Sequence, residues 1–387
     1  MNQKITLAFV TFCFLILLQE HSLFAASWNK FSEGEMPANK VMPTDSPKKE
    51  QAPPPQLVTF PISSITAKMT LNGYSQVRYQ YNFTDPDLGK PANGFDIRNA
   101  RLFLRGTVLK NFSYNFQADF APPTVRLMDA TAAYTFNKFA KITVGQQKAP
   151  LSYESLRTDY DIHSISRSQA VEALTARSRD VLATANSTTA VNNNGRDIGI
   201  LFSGGVPNAA TNSNWVDYSF GVFNGSGINV SDADAHKDIA GRVVVRPIKN
   251  LGIGGSFYSG KATYGGDKKT PKDRNRFGFD VAYEDGKRIY AVVEYLQGED
   301  STINKGGYYG LLEGYIIPKK FSALVKYDSY DPNMDKDKDA TSVFSFGLNY
   351  YFATFTKFQI QYDVRHEDGA DTQKKNDLLS LQAQIFF

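Results

Sequence analysis

The sequence predicts an all-β protein, a transmembrane antiparallel β-barrel of about sixteen strands, preceded by an export signal and a Pro-rich linker. Three observations lead there. Period-two alternation of apolar and polar residues returns repeatedly from Met69 to Phe387. Along that stretch, tight turns alternate with long polar loops. No segment after the N-terminus stays apolar for the ~18 residues of a membrane helix, yet aromatic residues reach 13%, with Phe 28 and Tyr 21 against Trp 2. A barrel hides its lipid face by alternation and keeps a hydrophilic average, here a mean hydropathy of −0.36. The net charge of +4, from 43 basic and 39 acidic residues, leaves no nucleic-acid footprint.

Residues 1–26 read as a signal peptide: Lys4 gives the positive start, Ile5 to Leu18 the apolar core, and Ala25-Ala26-Ser27 the small-residue cleavage zone. Cys13 is the only cysteine and lies inside it, which suits a chain that crosses an oxidising periplasm. Residues 27–64 hold Pro37, Pro43, Pro47, Pro53, Pro54, Pro55 and Pro61 and read as an extended periplasmic linker, a tether or an inert spacer. The barrel domain is expected over 65–387, with both ends in the periplasm.

The strands are expected near 69–82, 95–108, 112–120, 125–136, 140–148, 196–204, 216–224, 238–247, 251–260, 273–284, 287–298, 306–316, 321–330, 342–352, 356–365 and 376–387. In the first, Leu71, Gly73, Ser75, Val77, Tyr79 and Tyr81 share one face, and Asn72, Gln76, Arg78 and Gln80 the other. In the last, Leu379, Leu381, Ala383, Ile385 and Phe387 alternate with Ser380, Gln382 and Gln384, an aromatic finish of the kind that barrel-assembly machinery reads. Connections after even-numbered strands are tight, as at Leu109-Lys110-Asn111 and Ala353-Thr354-Phe355, and those after odd ones long, as at 83–94 and 149–195. The exceptions are a short 121–124 and a long 205–215. Short turns at one rim and long loops at the other are the layout of an outer-membrane barrel.

Phe95-Asp96-Ile97-Arg98-Asn99-Ala100-Arg101-Leu102-Phe103-Leu104-Arg105-Gly106 resembles the second-strand motif of the phosphate-selective porin O and P family. Tyr114 to Phe120, Val144-Gly145-Gln146-Gln147-Lys148-Ala149-Pro150, Gly195-Arg196-Asp197-Ile198-Gly199-Ile200 and Gly221-Val222-Phe223-Asn224-Gly225 follow in the family's order, over most of 69–230. The resemblance implies a trimeric outer-membrane channel for small anions, without cofactor or metal, whose long third loop folds into the pore. Here 149–195 is that loop, with Leu151 where an aromatic is more usual. The family's binding arginines do not transfer residue by residue, so phosphate specificity does not follow.

A barrel of about sixteen strands is too wide for side chains to fill and encloses an aqueous lumen. Alternation turns the basic Arg78, Arg101, Arg105, Arg242, Arg246, Arg274 and Arg276 inward, and the acidic Glu294, Asp328 and Asp363 as well. The expectation is a basic wall opposite an acidic one, or a salt-bridged wall without preference. In the constriction loop, Arg157, Arg167, Arg177 and Arg179 stand against Glu154, Asp159, Asp161, Glu172 and Asp180. Gly255 to Lys261 nearly spells a phosphate-binding loop, but Ala262 replaces the hydroxyl residue. Asp331, Asn333 and Asp335 open like a calcium loop that Lys336 breaks. His163, His236 and His366 read as surface histidines with no hydrolase arrangement. A selective channel, an unselective porin of the same fold, a barrel enzyme and an adhesin are the rival functions. Lipopolysaccharide, outer-membrane lipid and small solutes are the expected partners.

Overall fold

A strand crossing lipid must find a partner for every backbone N–H and C=O, and only ring closure removes unpaired edges. The computed structural model shows the ring closed. It describes residues 58–62, 65–83, 93–176, 195–211, 213–232, 236–262, 271–369 and 375–387. The expected signal peptide, and the linker as far as residue 57, lie outside these.

The first half of the wall is β2 (Ile65–Asn82), β3 (Gly94–Leu109), β4 (Phe112–Asp119), β5 (Arg126–Asn137), β6 (Ala140–Lys148), β7 (Arg196–Pro207), β8 (Asn214–Phe223) and β9 (Asp238–Ile248). The second half is β10 (Leu251–Ala262), β11 (Lys272–Glu284), β12 (Ile289–Asp300), β13 (Ile303–Ile317), β14 (Phe321–Asp331), β15 (Thr341–Ala353), β16 (Thr356–Glu367) and β17 (Leu378–Phe386). Each pairs antiparallel with its sequence neighbour, and β17 returns to β2 in register from Leu378↔Asn82 to Phe386↔Tyr74. The result is a closed antiparallel barrel of 16 strands. One strand falls in the expected linker: β1 (Val58–Ile62) folds back on the start of β2, from Val58↔Met69 to Ile62↔Ile65. That corrects the linker's end, because the last apolar run before the barrel extends the sheet.

The connections keep to two rims. Lys110-Asn111, Lys138-Phe139 and Thr354-Phe355 are two-residue turns at one rim, and Asp285 organises another there. Its Oδ1 accepts from the backbone N–H groups of Lys287, Arg288 and Ile289 at 2.8, 2.7 and 3.0 Å. The long-loop rim has one tight turn the sequence did not suggest, Ser301-Thr302 between β12 and β13, with Ser301 at φ 60°. Gly145 has φ +123°, and a Cβ there would lie 2.0 Å from the Ala130 carbonyl oxygen, so only glycine fits.

The outer surface is apolar. Phe95, Ile97, Phe136, Ile200, Phe279, Phe346 and Phe352 are all exposed to the outside of the isolated chain. No helix among the described residues is long and apolar enough to span a membrane; strands do it here.

Inside, the long loop after β6 enters the barrel. It carries α1 (Tyr153–Leu156) and α2 (Gln169–Ala176). Ala170, Val171 and Leu174 of α2 pack with Leu296, Tyr309, Leu311 and Tyr330 of the wall. Toward the short-turn rim the covering is one-sided. Inward positions of β12 and β14 are buried from rim to rim, and those of β11, β13, β15, β16 and β17 are largely buried too. Toward the short-turn rim, Arg105, Thr107, Asn115, Thr135, Asn137, Lys141, Ser203, Asp217, Ser219 and Arg246 remain partly or fully open.

Candidate functional site: the loop-filled lumen

An extended loop inside a barrel exposes backbone dipoles that need partners as much as its side chains do. The wall supplies them. Glu294 of β12 accepts from the N–H groups of Tyr153 (2.6 Å) and Glu154 (3.1 Å), at the start of α1. Both Asp328 oxygens, on β14, accept from the Gln169 N–H at the start of α2, at 3.1 and 2.9 Å. At the other end of α2, Arg276 Nε and an Arg274 terminal nitrogen donate to the Leu174 carbonyl at 3.2 and 3.4 Å. Carboxylates sit at helix N-termini and guanidiniums at a C-terminus, as the helix dipole favours.

The segment between the helices is held the same way. Lys357 Nζ donates to the Ile162 carbonyl (2.7 Å) and Lys326 Nζ to that of Ser166 (3.0 Å). Asn349 and Gln359 both donate to the His163 carbonyl, and Gln361 accepts from the Ile165 N–H at 2.7 Å. His163 is buried, not a surface residue. Its ring stacks on Tyr290 at 3.7 Å and 3° and bonds Glu313.

The residues expected to line the pore therefore divide. Arg101, buried, pairs with Asp119 at 2.8 Å and with Asp159 of the loop at 2.6 Å. Arg167 reaches the other Asp159 oxygen at 2.8 Å. Burial by itself would raise the Asp159 carboxyl; Arg101, Arg167, Lys148 and Arg98 around it hold it well below the usual range instead. Glu172 has burial as its main influence and is raised. Arg157 pairs with Asp161 and Glu284 at 3.0 Å each. Arg177 and Arg179 lie outside the described residues.

Arg242 is paired bidentately with Asp280, at 2.6 and 2.9 Å. Arg246 bonds Asp217. Arg276 pairs with Asp300 at 2.6 Å, and Arg78 with Asp96 at 2.6 Å. Asp363 accepts from Gln361 at 2.7 Å. A basic wall standing apart from an acidic one is thus not what these side chains make: each arginine but Arg105 has a carboxylate or a carbonyl, and Glu294 and Asp328 face the loop. Sequence alternation finds the inward face but not the neighbour across it.

Arg105 differs. It donates to Asn115 at 2.9 Å and lies 4.7 Å from the Phe103 ring, with no carboxylate in reach among the described residues.

Alternation missed several interior cations. Arg98 is the extra residue where Gln76↔Asn99 steps to Val77↔Ile97, so Arg98 and Asn99 both meet interior groups. Arg196 bonds Asp129 at 2.8 Å, and Lys148 the carbonyls of Ser155 and Arg157. Both lie in stretches singled out for resemblance, but at strand ends, where they pair with each other across β6 and β7. Gly255 to Lys261 lies in β10, as a strand and not a phosphate loop. No group of His, Cys, Asp and Glu among the described residues has a metal-binding arrangement.

A family model described as phosphate-selective porin O and P matches residues 71–287, more than half of the chain. The chain belongs to that family. Among solved structures, this porin resembles the anion-selective porin from Comamonas acidovorans, with TM-score 0.63 and 16% identity over 83% of this chain and 100% of that one. It also resembles the outer-membrane channel DcaP of Acinetobacter baumannii, with TM-score 0.58 and 12% identity over 83% and 97%. The trimer form of OmpT, an outer-membrane protein of Vibrio cholerae, gives 0.57 and 12% over 83% and 99%. These likenesses are of fold. No curated protein sequence matches the porin. With family, closed ring and apolar girdle in agreement, it is an outer-membrane channel.

Proposed function

We propose that this porin passes small hydrophilic solutes passively, with a preference for anions, phosphate among them. The carrying observation is the charge of the open lumen. A cavity of about 470 Å³ opens at the short-turn rim, beneath Leu156 of α1. Its charged lining is Lys138, Lys141, Arg242 and Asp217; Arg242 is matched by Asp280 and Asp217 by Arg246, so the two lysines carry the excess. An excess of fixed cations along a water-filled wall raises the local anion concentration.

The family and the anion selectivity named for the Comamonas acidovorans porin support the same reading. So does the trimer form of the Vibrio cholerae neighbour for a homotrimer here. Export through the periplasm on the 1–26 signal, assembly through the carboxy-terminal strand and contact with lipopolysaccharide complete the proposal.

The unselective reading rests on the Arg242–Asp280 and Arg246–Asp217 pairs, which neutralise part of the wall. Reversal potential across a salt gradient in planar bilayers decides between them. An anion-directed potential, larger at low salt where the Debye length is about 30 Å at 0.01 M, supports selectivity. A zero potential selects the general-diffusion porin.

A further inference from the structure

Toward the short-turn rim the lumen has a filled half and an open half; deeper in, inward residues of β3, β4, β6 and β9 such as Arg101, Asp119, Thr143 and Arg242 are buried as well. From β11 round to β17, inward side chains lie under the loop: Ser345 is 2% exposed and Ser380 1%. From β3 round to β9, inward residues toward the short-turn rim stay open, among them Arg105, Asn115, Thr135, Lys141, Ser203 and Ser219. Of the arginines that the sequence singled out on β9 and β11, Arg242, Arg246 and Arg276 carry carboxylates of their own. On the open side, Lys141 lines the cavity and has no carboxylate partner among the described residues. Arg105, three strands away, has only Asn115 and the Phe103 ring.

We infer that solute passes only along the β3–β9 half of the wall, and that Lys141, with Arg105, determines its charge selectivity. A compensated cation presents a dipole to a passing ion, while an uncompensated one presents its full charge. Arg242, Arg246 and Arg276 are then positioning residues that hold the wall and loop, and Lys141 and Arg105 act on the solute. This rests on the anion-channel reading for its selectivity half, but not for its route.

Two measurements test it. In a Cys13→Ser background free of other thiols, Ser203→Cys and Ser219→Cys are compared with Ser345→Cys and Ser380→Cys. Each is reconstituted and exposed to a sulfonate-bearing methanethiosulfonate. Single-channel conductance should fall for the first pair, by a third or more, and stay constant for the second. Block at 345 or 380 equal to that at 203 and 219 overturns the route. Separately, Lys141→Gln with Arg105→Gln should lower the anion-to-cation permeability ratio several-fold at 0.1 M salt. If wild type is anion-selective and this variant matches it, the assignment of Lys141 and Arg105 fails while the channel reading stands. If wild type is itself unselective, the anion-selective reading fails, and with it the selectivity half; the thiol map still decides the route.

Discussion

Asp159 shows how much one side chain holds in place. It lies on the constriction loop, buried, between Arg101 of β3 and Arg167 of the same loop. Removing one member of a buried pair costs about 3–5 kcal/mol, because the partner charge stays desolvated. Asp159→Asn is therefore expected to loosen loop docking by that order, seen as faster protease cleavage within 149–176 of the folded porin in detergent. The pH sign follows from the same contacts. The folded carboxyl is held below its unfolded value, so its contribution is complete above about pH 4, near the usual Asp value, and is lost as pH falls through the folded one. Glu172, raised by burial, acts in the opposite sense at milder acidity. Cleavage of the wild-type loop should rise in strong acid, and Asp159→Asn should flatten that limb. An unchanged acid limb in the variant would show that another group controls it.

The element that matters most is the loop, and its two helices are too short to be stable alone. α1 has 4 residues and α2 has 8, below the roughly 12–15 at which isolated helices become even marginal. They exist because the wall caps them. Glu294→Gln combined with Asp328→Asn removes both charged caps and should cost about 1 kcal/mol at each helix. The barrel should persist, since the ladder of strands is untouched. Single-channel records should then show a higher mean conductance with added low-frequency noise, as the loop leaves the filled half more often. A quiet channel of wild-type conductance would mean that the backbone contacts of Lys326, Lys357 and Gln359 suffice without the carboxylates.

At the scale of the whole molecule, closure explains both the stability and the exposed apolar exterior. Every strand from β2 to β17 has a neighbour on each side, with β17 on β2 completing the ring. The outer girdle of Phe, Ile, Leu and Tyr faces lipid or, in the proposed homotrimer, another copy. Native electrophoresis after gentle detergent extraction should give a trimer-sized species that heating converts to monomer. Chemical crosslinking in intact membranes that yields only monomer would remove the trimer from the proposal while leaving the barrel intact.

The sequence by itself determined the barrel. Period-two alternation and turn spacing placed the strands β2 to β17 to within a few residues, because each strand's two faces meet solvents of opposite polarity and the pattern must be written locally. It also marked Arg101, Arg242, Arg276, Glu294 and Asp328 as inward. It did not show β1, the tight Ser301-Thr302 turn, the bulge that turns Arg98 inward or the burial of His163. Nor did it reveal that Glu294 and Asp328 cap helices of the loop instead of facing solute. The two caps depend on what lies across the lumen, from residues 140 or more positions away in the chain. Alternation encodes which side of the wall a side chain takes; only the folded ring decides which charge meets it there.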